Sequence, residues 1–246
     1  MDRLTFIGTS HIAKESVDKV AKVLEQERPD ILALELDPDR FHGLMQKQRG
    51  RPGLAHLRRM GVKAFVLALL GMWAEEKLGK MVGVAPGDEM KNAIRTAKRL
   101  KIDIMLIDQD LSITLRRLSS QLTWRERWNF VKDIVKGVVF RKTDLGDLGS
   151  IDLSKVPESE LIRKMMDIVK VRYPTFYRVL VAERNVVMAD NLLHMLAQFP
   201  EARIVAVVGA GHVEGIKELM NVSARPVASF SFSVDSHKNP PQDLLF

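Results

Sequence analysis

The sequence predicts an α/β fold: duplicated βαβ halves forming a central, mainly parallel sheet, with a large helical insertion between them. Three observations predict it. Short apolar runs at Leu4-Thr5-Phe6-Ile7, at Ile31 to Leu36 and at Arg203 to Val208 have the length and composition of buried strands. The first and last of these run into the same four-residue pattern, Gly8-Thr9-Ser10-His11 and Gly209-Ala210-Gly211-His212. Between them the apolar residues recur mainly at helical spacing.

In chain order, the first strand leads into a helix from Ala13 to about Glu27, with Val17, Val20, Ala21 and Leu24 on one face. Pro29-Asp30 breaks it, and the second strand follows, ending before Asp37-Pro38. Strand, helix and strand make a right-handed parallel crossover. The insertion covers about 38–200 and is interrupted by a third strand at 102–107. Its helices are expected at Asp39 to Gln48, Leu54 to Lys80, Asp88 to about Leu100, Leu111 to Leu118, Trp124 to Phe140, Glu158 to Val171 and Pro174 to Gln198. The last strand is followed by a short helix from about Val213 to Met220 and a further strand from Pro226 to Val234. One domain over 1–234 and a flexible tail over 235–246 complete the expected organisation.

The totals narrow the chemistry. The chain has 246 residues and no cysteine, so disulfides and thiolate metal sites are excluded. A metal would need imidazole and carboxylate ligands, and only six histidines exist. No dinucleotide fingerprint, P-loop or His-Glu-x-x-His helix is present, so no nucleotide cofactor is expected. The net charge of +7 favours anionic partners, but without a base-reading motif it reads as a solvated basic surface, and nucleic acid is not the expected partner. The most apolar helix, Val62 to Trp73, is shorter than the roughly 20 residues a bilayer requires, which suits core packing or a homodimer interface. The chain enters a strand directly after Met1-Asp2-Arg3, with no signal peptide visible.

In a parallel sheet, ligands bind beyond the carboxyl ends of the strands. The pattern sets four polar residues there: His11, Glu35, Asp108 and His212. Gly8 and Gly209 allow close backbone approach, and the helix N-termini behind them offer N–H groups to an anion. Three readings of His11 and His212 stay open on pattern alone: metal ligands with Glu35 completing the set, general acid and base groups, or turn caps. Glu35, closing an apolar strand, reads as a site carboxylate. Asp37 and Arg40 form a candidate local ion pair. Glu89 lies in a helix's first turn, where the helix dipole favours an acid whatever its function. One of Asp108 and Asp110 is expected to cap the following helix, which carries Arg116 and Arg117. Glu183 and Arg184 are adjacent in a helix and face different ways, so one of them is expected to reach the site. The segment Trp124 to Lys142 is a basic amphipathic helix, suited to lipid headgroups, a partner or simply solvent.

These residues together resemble the TraB family, which includes the enterococcal pheromone-shutdown proteins. The resemblance rests on Gly8-Thr9-Ser10-His11, Glu35-Leu36-Asp37 with Arg40, Gly87-Asp88-Glu89-Met90, Asp108, Glu183-Arg184-Asn185 with Met188-Ala189, and Gly209-Ala210-Gly211-His212, in that order from Leu4 to about Val234. The wider group takes in the TIKI proteases, the erythromycin esterases and the ChaN-like haem-binding proteins. The resemblance implies a site centred on the two Gly-x-x-His motifs. Its TIKI relatives are divalent-metal-dependent peptidases. Carried over, this makes His11 and His212 metal or catalytic residues with Glu35 as the nearest carboxylate; as metal ligands, His11, His212 and Glu35 would hold Mn²⁺, Co²⁺ or Zn²⁺. Glu35 or Glu183 would handle protons, and Arg184 or Arg116 would steady a developing anion. Gly8, Ser10, Arg40, Glu89, Asp108 and Gly209 would form the surrounding shell.

The expected function is therefore a metal-dependent, peptidase-like hydrolase acting on a peptide or small signalling molecule. The alternative is a non-catalytic protein that binds or sequesters such a molecule at a membrane or partner. Many archaeal and bacterial members continue into C-terminal membrane segments. This chain ends at Phe246 without one, so the expected location is cytoplasmic or membrane-associated, with a membrane segment outside this chain left open.

Overall fold

The structure, a computed structural model, describes residues 3–9, 14–45, 61, 87–140 and 158–223. Four parallel strands form one sheet in the order β1-β4-β2-β3: β1 (Leu4–Thr9), β2 (Ile31–Leu34), β3 (Asp103–Leu106) and β4 (Ile204–Gly209). The helices are α1 (Lys14–Glu27), α2 (Pro38–Met45), α3 (Asp88–Leu100), α4 (Leu111–Gln121), α5 (Trp124–Phe140), α6 (Glu158–Arg172), α7 (Pro174–Tyr177), α8 (Glu183–Gln198) and α9 (Ala210–Ser223).

The mixed α/β architecture with a parallel sheet is the expected one. The strand order adds what sequence cannot: β1 and β2, consecutive in the chain, are not neighbours. The C-terminal strand β4 inserts between them, with Leu4 opposite Ile204 and Thr9 opposite Gly209 on one side, and Ile31 opposite Ile204 and Leu34 opposite Val207 on the other. Gly8 and Gly209 therefore sit on adjacent strands, one residue out of register.

β4 is buried along its whole length, as a central parallel strand covered on both faces must be. Alternation divides its side chains. Val205 and Val207 join Leu32, Leu34, Val20, Leu24, Ala93, Ile94 and Ala97 in one apolar cluster, under α1 and α3. Ile204, Ala206 and Val208 join Ile31, Ala33, Met188, Leu192, Ile216 and Met220 in the other, under α8 and α9. The core is thus two apolar layers on either side of one sheet. Gly8 serves this packing: a Cβ there would stand 3.1 Å from Val213 Cγ2 and 3.3 Å from Ala210 Cα, so its absence lets the start of α9 close on β1.

Two helices differ from expectation. The run Pro174 to Gln198 is not one regular helix, because a π-helical turn, Arg178–Ala182, separates α7 from α8. α9 begins directly at Ala210, so Gly211 and His212 lie in its first turn. Apart from Gly61, the expected helix Leu54 to Lys80 with its apolar run Val62 to Trp73 lies outside the described residues, as do the strand Pro226 to Val234 and the tail 235–246. Among the described residues, no helix is long and apolar enough to cross a membrane.

Candidate functional site

The carboxyl ends of β2, β3 and β4 deliver Glu35, Asp108 and Gly209 to one edge of the sheet, where α8 contributes Arg184 and Asn185 and α9 contributes His212. Glu35 immediately follows β2 and its N–H still bonds to Val207 O at 3.1 Å, which keeps it level with the end of β4. One carboxylate oxygen, Oε2, accepts the Gly209 N–H at 2.6 Å, at the junction where β4 turns into α9. The other, Oε1, accepts from Arg184 Nη2 and lies 3.4 Å from His212 Nε2. Burial alone would raise the Glu35 carboxyl, but His212, Arg184, the Gly209 N–H and Arg40 outweigh it and hold Glu35 below the usual carboxylate range.

Arg184 is the hub. Its Nε donates to Asp108 Oδ1 at 3.0 Å and its Nη2 to Asp108 Oδ2 at 2.7 Å, a bidentate pair, while Nη2 also reaches Glu35. Nη1 donates to Leu180 O at 3.2 Å, inside the π-helical turn, and lies 3.3 Å from His212 Nε2. Burial opposes the guanidinium's charge, but Asp108 and Glu35 more than compensate and raise its pKa above the ordinary value, so Arg184 is a fixed cation. An irregular turn tied to the key side chain fits the tendency of π-bulges to accompany functional positions.

Asp108 is saturated. Besides Arg184 it accepts Arg40 Nη1 at 3.0 Å and the Gln109 N–H at 2.8 Å. The capping role falls to Asp110, whose Oδ1 accepts the Ser112 N–H at 2.7 Å. Asp37 caps α2 by accepting the Arg40 backbone N–H at 2.9 Å, so the expected Asp37–Arg40 pair is a cap, and the Arg40 guanidinium is spent on Asp108. The second oxygen of Asp37, Oδ2, is buried without a partner.

His212 is buried, and its Nδ1 lies 2.6 Å from Asn185 Oδ1. An amide oxygen only accepts, so a proton sits on Nδ1; in the neutral ring the Nε2 lone pair faces Arg184 Nη1, and in the charged ring an Nε2–H faces Glu35 Oε1. Protonation of Nε2 would exchange the Arg184 contact for a bond donated to Glu35. Gly215 makes room for this arrangement: a Cβ there would stand 2.2 Å from Asn185 Nδ2.

The structure brings together Glu35, Arg40, Asp108, Arg184, Gly209 and His212 from the residues singled out by sequence. Gly8 lies beside them on β1, across from Val208. Glu89 is buried in the first turn of α3. Glu183 faces away: it forms a bidentate pair with Arg117, at 2.7 and 3.0 Å. Arg116 is exposed on α4. Ser10 and His11 lie outside the described residues. Sequence reasoning gave Asn185 no role. The available signal was positional, because Asn185 shares a helix face with Met188, Ala189 and Leu192, and a polar residue on a buried face needs a partner.

Among the described residues, no group of three or more His, Asp or Glu side chains is arranged to hold a metal ion. His212 and Glu35 are nevertheless a usable pair of donors. Ligands at about 2.0–2.1 Å on a tetrahedral ion lie roughly 3.3 Å apart, close to their 3.4 Å separation. The pinned Nδ1 of His212 is the support a ligating imidazole requires. Arg184 Nη1 stands at the same lone pair, so an ion there and this contact exclude each other. Asp108, with two bonds to Arg184, would retain the guanidinium once that contact is given up.

The model of a family described as TraB/PrgY/gumN matches residues 2–225. An uncharacterised protein of Methanocaldococcus jannaschii is 35% identical over 212 residues, which are 85% of this chain and 51% of that protein. TraB domain-containing proteins of Bos taurus and Homo sapiens are 26% and 25% identical over 245 residues, covering 88% of this chain and 62% of theirs. The chain thus spans between half and two thirds of the length of these relatives.

Proposed function

We propose, for a chain that belongs to the TraB/PrgY/gumN family, that it is a peptidase-like hydrolase dependent on a divalent metal ion, acting on a peptide or small signalling molecule at the edge shared by its two Gly-x-x-His motifs. The observation that carries this reading is His212: a buried imidazole, oriented by Asn185, with Nε2 3.4 Å from the Glu35 carboxylate. Structural ion pairs do not need a buried histidine whose Nδ1 is pinned and whose Nε2 is turned into a charged cluster. A ligand or a proton carrier does.

In this reading His212, Glu35 and His11 hold Mn²⁺, Co²⁺ or Zn²⁺, with His11 assigned from the matching motif. The ion, when bound, supplies polarisation of a carbonyl and a more acidic water. Glu35, kept ionised, is a poor base and serves as an anionic ligand. Arg184, released from His212 but held by Asp108, offers Nη1 to the oxygen on which charge develops.

A second reading is favoured by one observation. Asp108 accepts from Arg40, Arg184 and the Gln109 N–H, and Glu35 from Arg184 and the Gly209 N–H. A network so fully paired also suits a rigid site that binds a peptide or signal without turning it over. Thermal unfolding of chelator-stripped protein separates the two. On the hydrolase reading, an ion at 100 times its dissociation constant adds about 2.7 kcal/mol, roughly 5–10 °C for a domain of this size. The rise disappears in His11→Ala/His212→Ala, and some peptide in a mixed library is cut only with metal present. Unchanged melting with every ion, together with peptide binding that survives His11→Ala and no cleavage, selects the second reading.

A further inference from the structure

We propose that α5 docks this protein on an anionic lipid surface through Trp124, Trp128, Arg125 and Lys132. This is independent of the hydrolase reading, and it starts from an anomaly of exposure. Trp124 is 82% exposed and Trp128 58% exposed, although tryptophan is among the side chains most strongly withdrawn from water. They lie four residues apart, and Lys132 lies four further on, so the three line one face of the helix.

The opposite side of α5 accounts for its other groups. Phe130 stacks on Phe176 at 6.0 Å between ring centroids and meets Tyr173 edge-on at 6.5 Å. Both acids of the helix are turned to partners within the protein. Glu126 is buried and accepts from Thr123 and Thr175, while Asp133 accepts from Arg172 and from the Tyr173 hydroxyl. The exposed charges on the described part of α5, Arg125 and Lys132, are therefore positive, on a chain of net charge +7.

Charge complementarity selects an anionic partner, and the indoles select among anionic partners. The Arg127 guanidinium lies 6.0 Å from the Trp124 ring centroid and Lys132 Nζ 5.6 Å from that of Trp128. Each indole thus lies beside a cation of its own helix. Indoles with flanking cations are what a headgroup layer accepts: rings at the acyl boundary, ammonium and guanidinium groups among the phosphates. Two rings and a few cations suit peripheral, reversible docking.

The test uses the full chain and vesicles of phosphatidylcholine with about one third phosphatidylglycerol, against phosphatidylcholine alone. The expected result is co-sedimentation with the anionic vesicles and a blue shift of tryptophan emission in a Trp73→Phe background. Trp124→Ala/Trp128→Ala and Arg125→Glu/Lys132→Glu should each weaken partition by about tenfold or more, with melting temperatures unchanged. Equal partition of these variants and wild type overturns the proposal, as does equal binding to neutral vesicles or none to either. It is also overturned if the lipid-free protein already emits in the blue and resists acrylamide, since the chain itself then covers the rings. Binding of single-stranded poly-U through the same four residues, without vesicle binding, assigns the face to RNA instead.

Discussion

Arg184 bridges two buried carboxylates, Glu35 and Asp108, and of these only Asp108 has a second guanidinium, Arg40, in direct contact; this sets the energetic stake of the site. Arg184→Ala should cost about 3–5 kcal/mol, because it strands the buried Glu35 and leaves Asp108 with Arg40 alone. Arg184→Lys should recover only a small part, since an ammonium cannot reproduce the bidentate fork on Asp108 together with the reach to Glu35. Urea unfolding of the three proteins measures both. Asn185 governs His212. Asn185→Ala leaves a buried Nδ1–H unpaired, at about 1–3 kcal/mol, while Asn185→Asp puts a carboxylate against the ring and should raise the His212 pKa, read from imidazole NMR shifts against pH. An unchanged His212 titration in Asn185→Asp would mean that the Asn185 contact does not orient the ring. At this scale sequence pattern supplied Glu35, Asp108 and His212 through their positions at strand ends. It could only say that Glu183 and Arg184 face different ways, because the choice between them depends on the phase that the π-helical turn imparts to α8. Arg117, rather than its neighbour Arg116, took up the outward-facing Glu183.

Among the elements, α5 and α7 are joined by a buried acid as well as by the Phe130–Phe176 stack. Glu126 accepts the Thr123 N–H at 3.2 Å while its own N–H donates to Thr123 Oγ1 at 3.3 Å, a capping box, and it also accepts the Thr175 N–H at 2.6 Å at the start of α7. Burial would raise its carboxyl, but the Thr123 and Thr175 hydrogen bonds outweigh this and hold it below the ordinary 4.5. A folded value lower than the unfolded one gives stabilisation that is complete above about 4.5 and lost as pH falls through the lowered value. Glu126→Ala should therefore cost about 1–3 kcal/mol near neutrality, and its difference from wild type should narrow on acidification. Melting curves between about pH 7 and pH 3 test this, and a gap that widened in acid would refute the assignment. Element existence was well legible: α5 has the expected span, and α1 and α3 lie within a residue of theirs. Hydrophobic period carries that information. The break in Pro174 to Gln198 was not legible, because a π-helical turn keeps helical composition and changes only the hydrogen-bond register.

At the scale of the molecule, the inserted C-terminal strand does most to define the fold. β4 is the partner of β1 and one of the two partners of β2, and it contributes to both apolar layers. A chain ending before Ile204 should lose its cooperative unfolding transition, since β1 would be left without its neighbour. A truncated chain that melts sharply would contradict this order of strands. Sequence pattern supplied the strands and their parallel sense, but not the order. Register between distant segments is set by which apolar faces meet, and short buried strands are too alike to specify that. The same insertion sets Gly209 and His212 beside Glu35, which is why sheet order and site stand together. The most direct test of the hydrolase account is calorimetric titration of Mn²⁺, Co²⁺ and Zn²⁺ into chelator-stripped protein. The account predicts one ion per chain in wild type, affinity lower by about 10–100-fold in Asn185→Ala, and no binding in His212→Gln. No binding by wild type, or equal binding by folded His212→Gln, would contradict it.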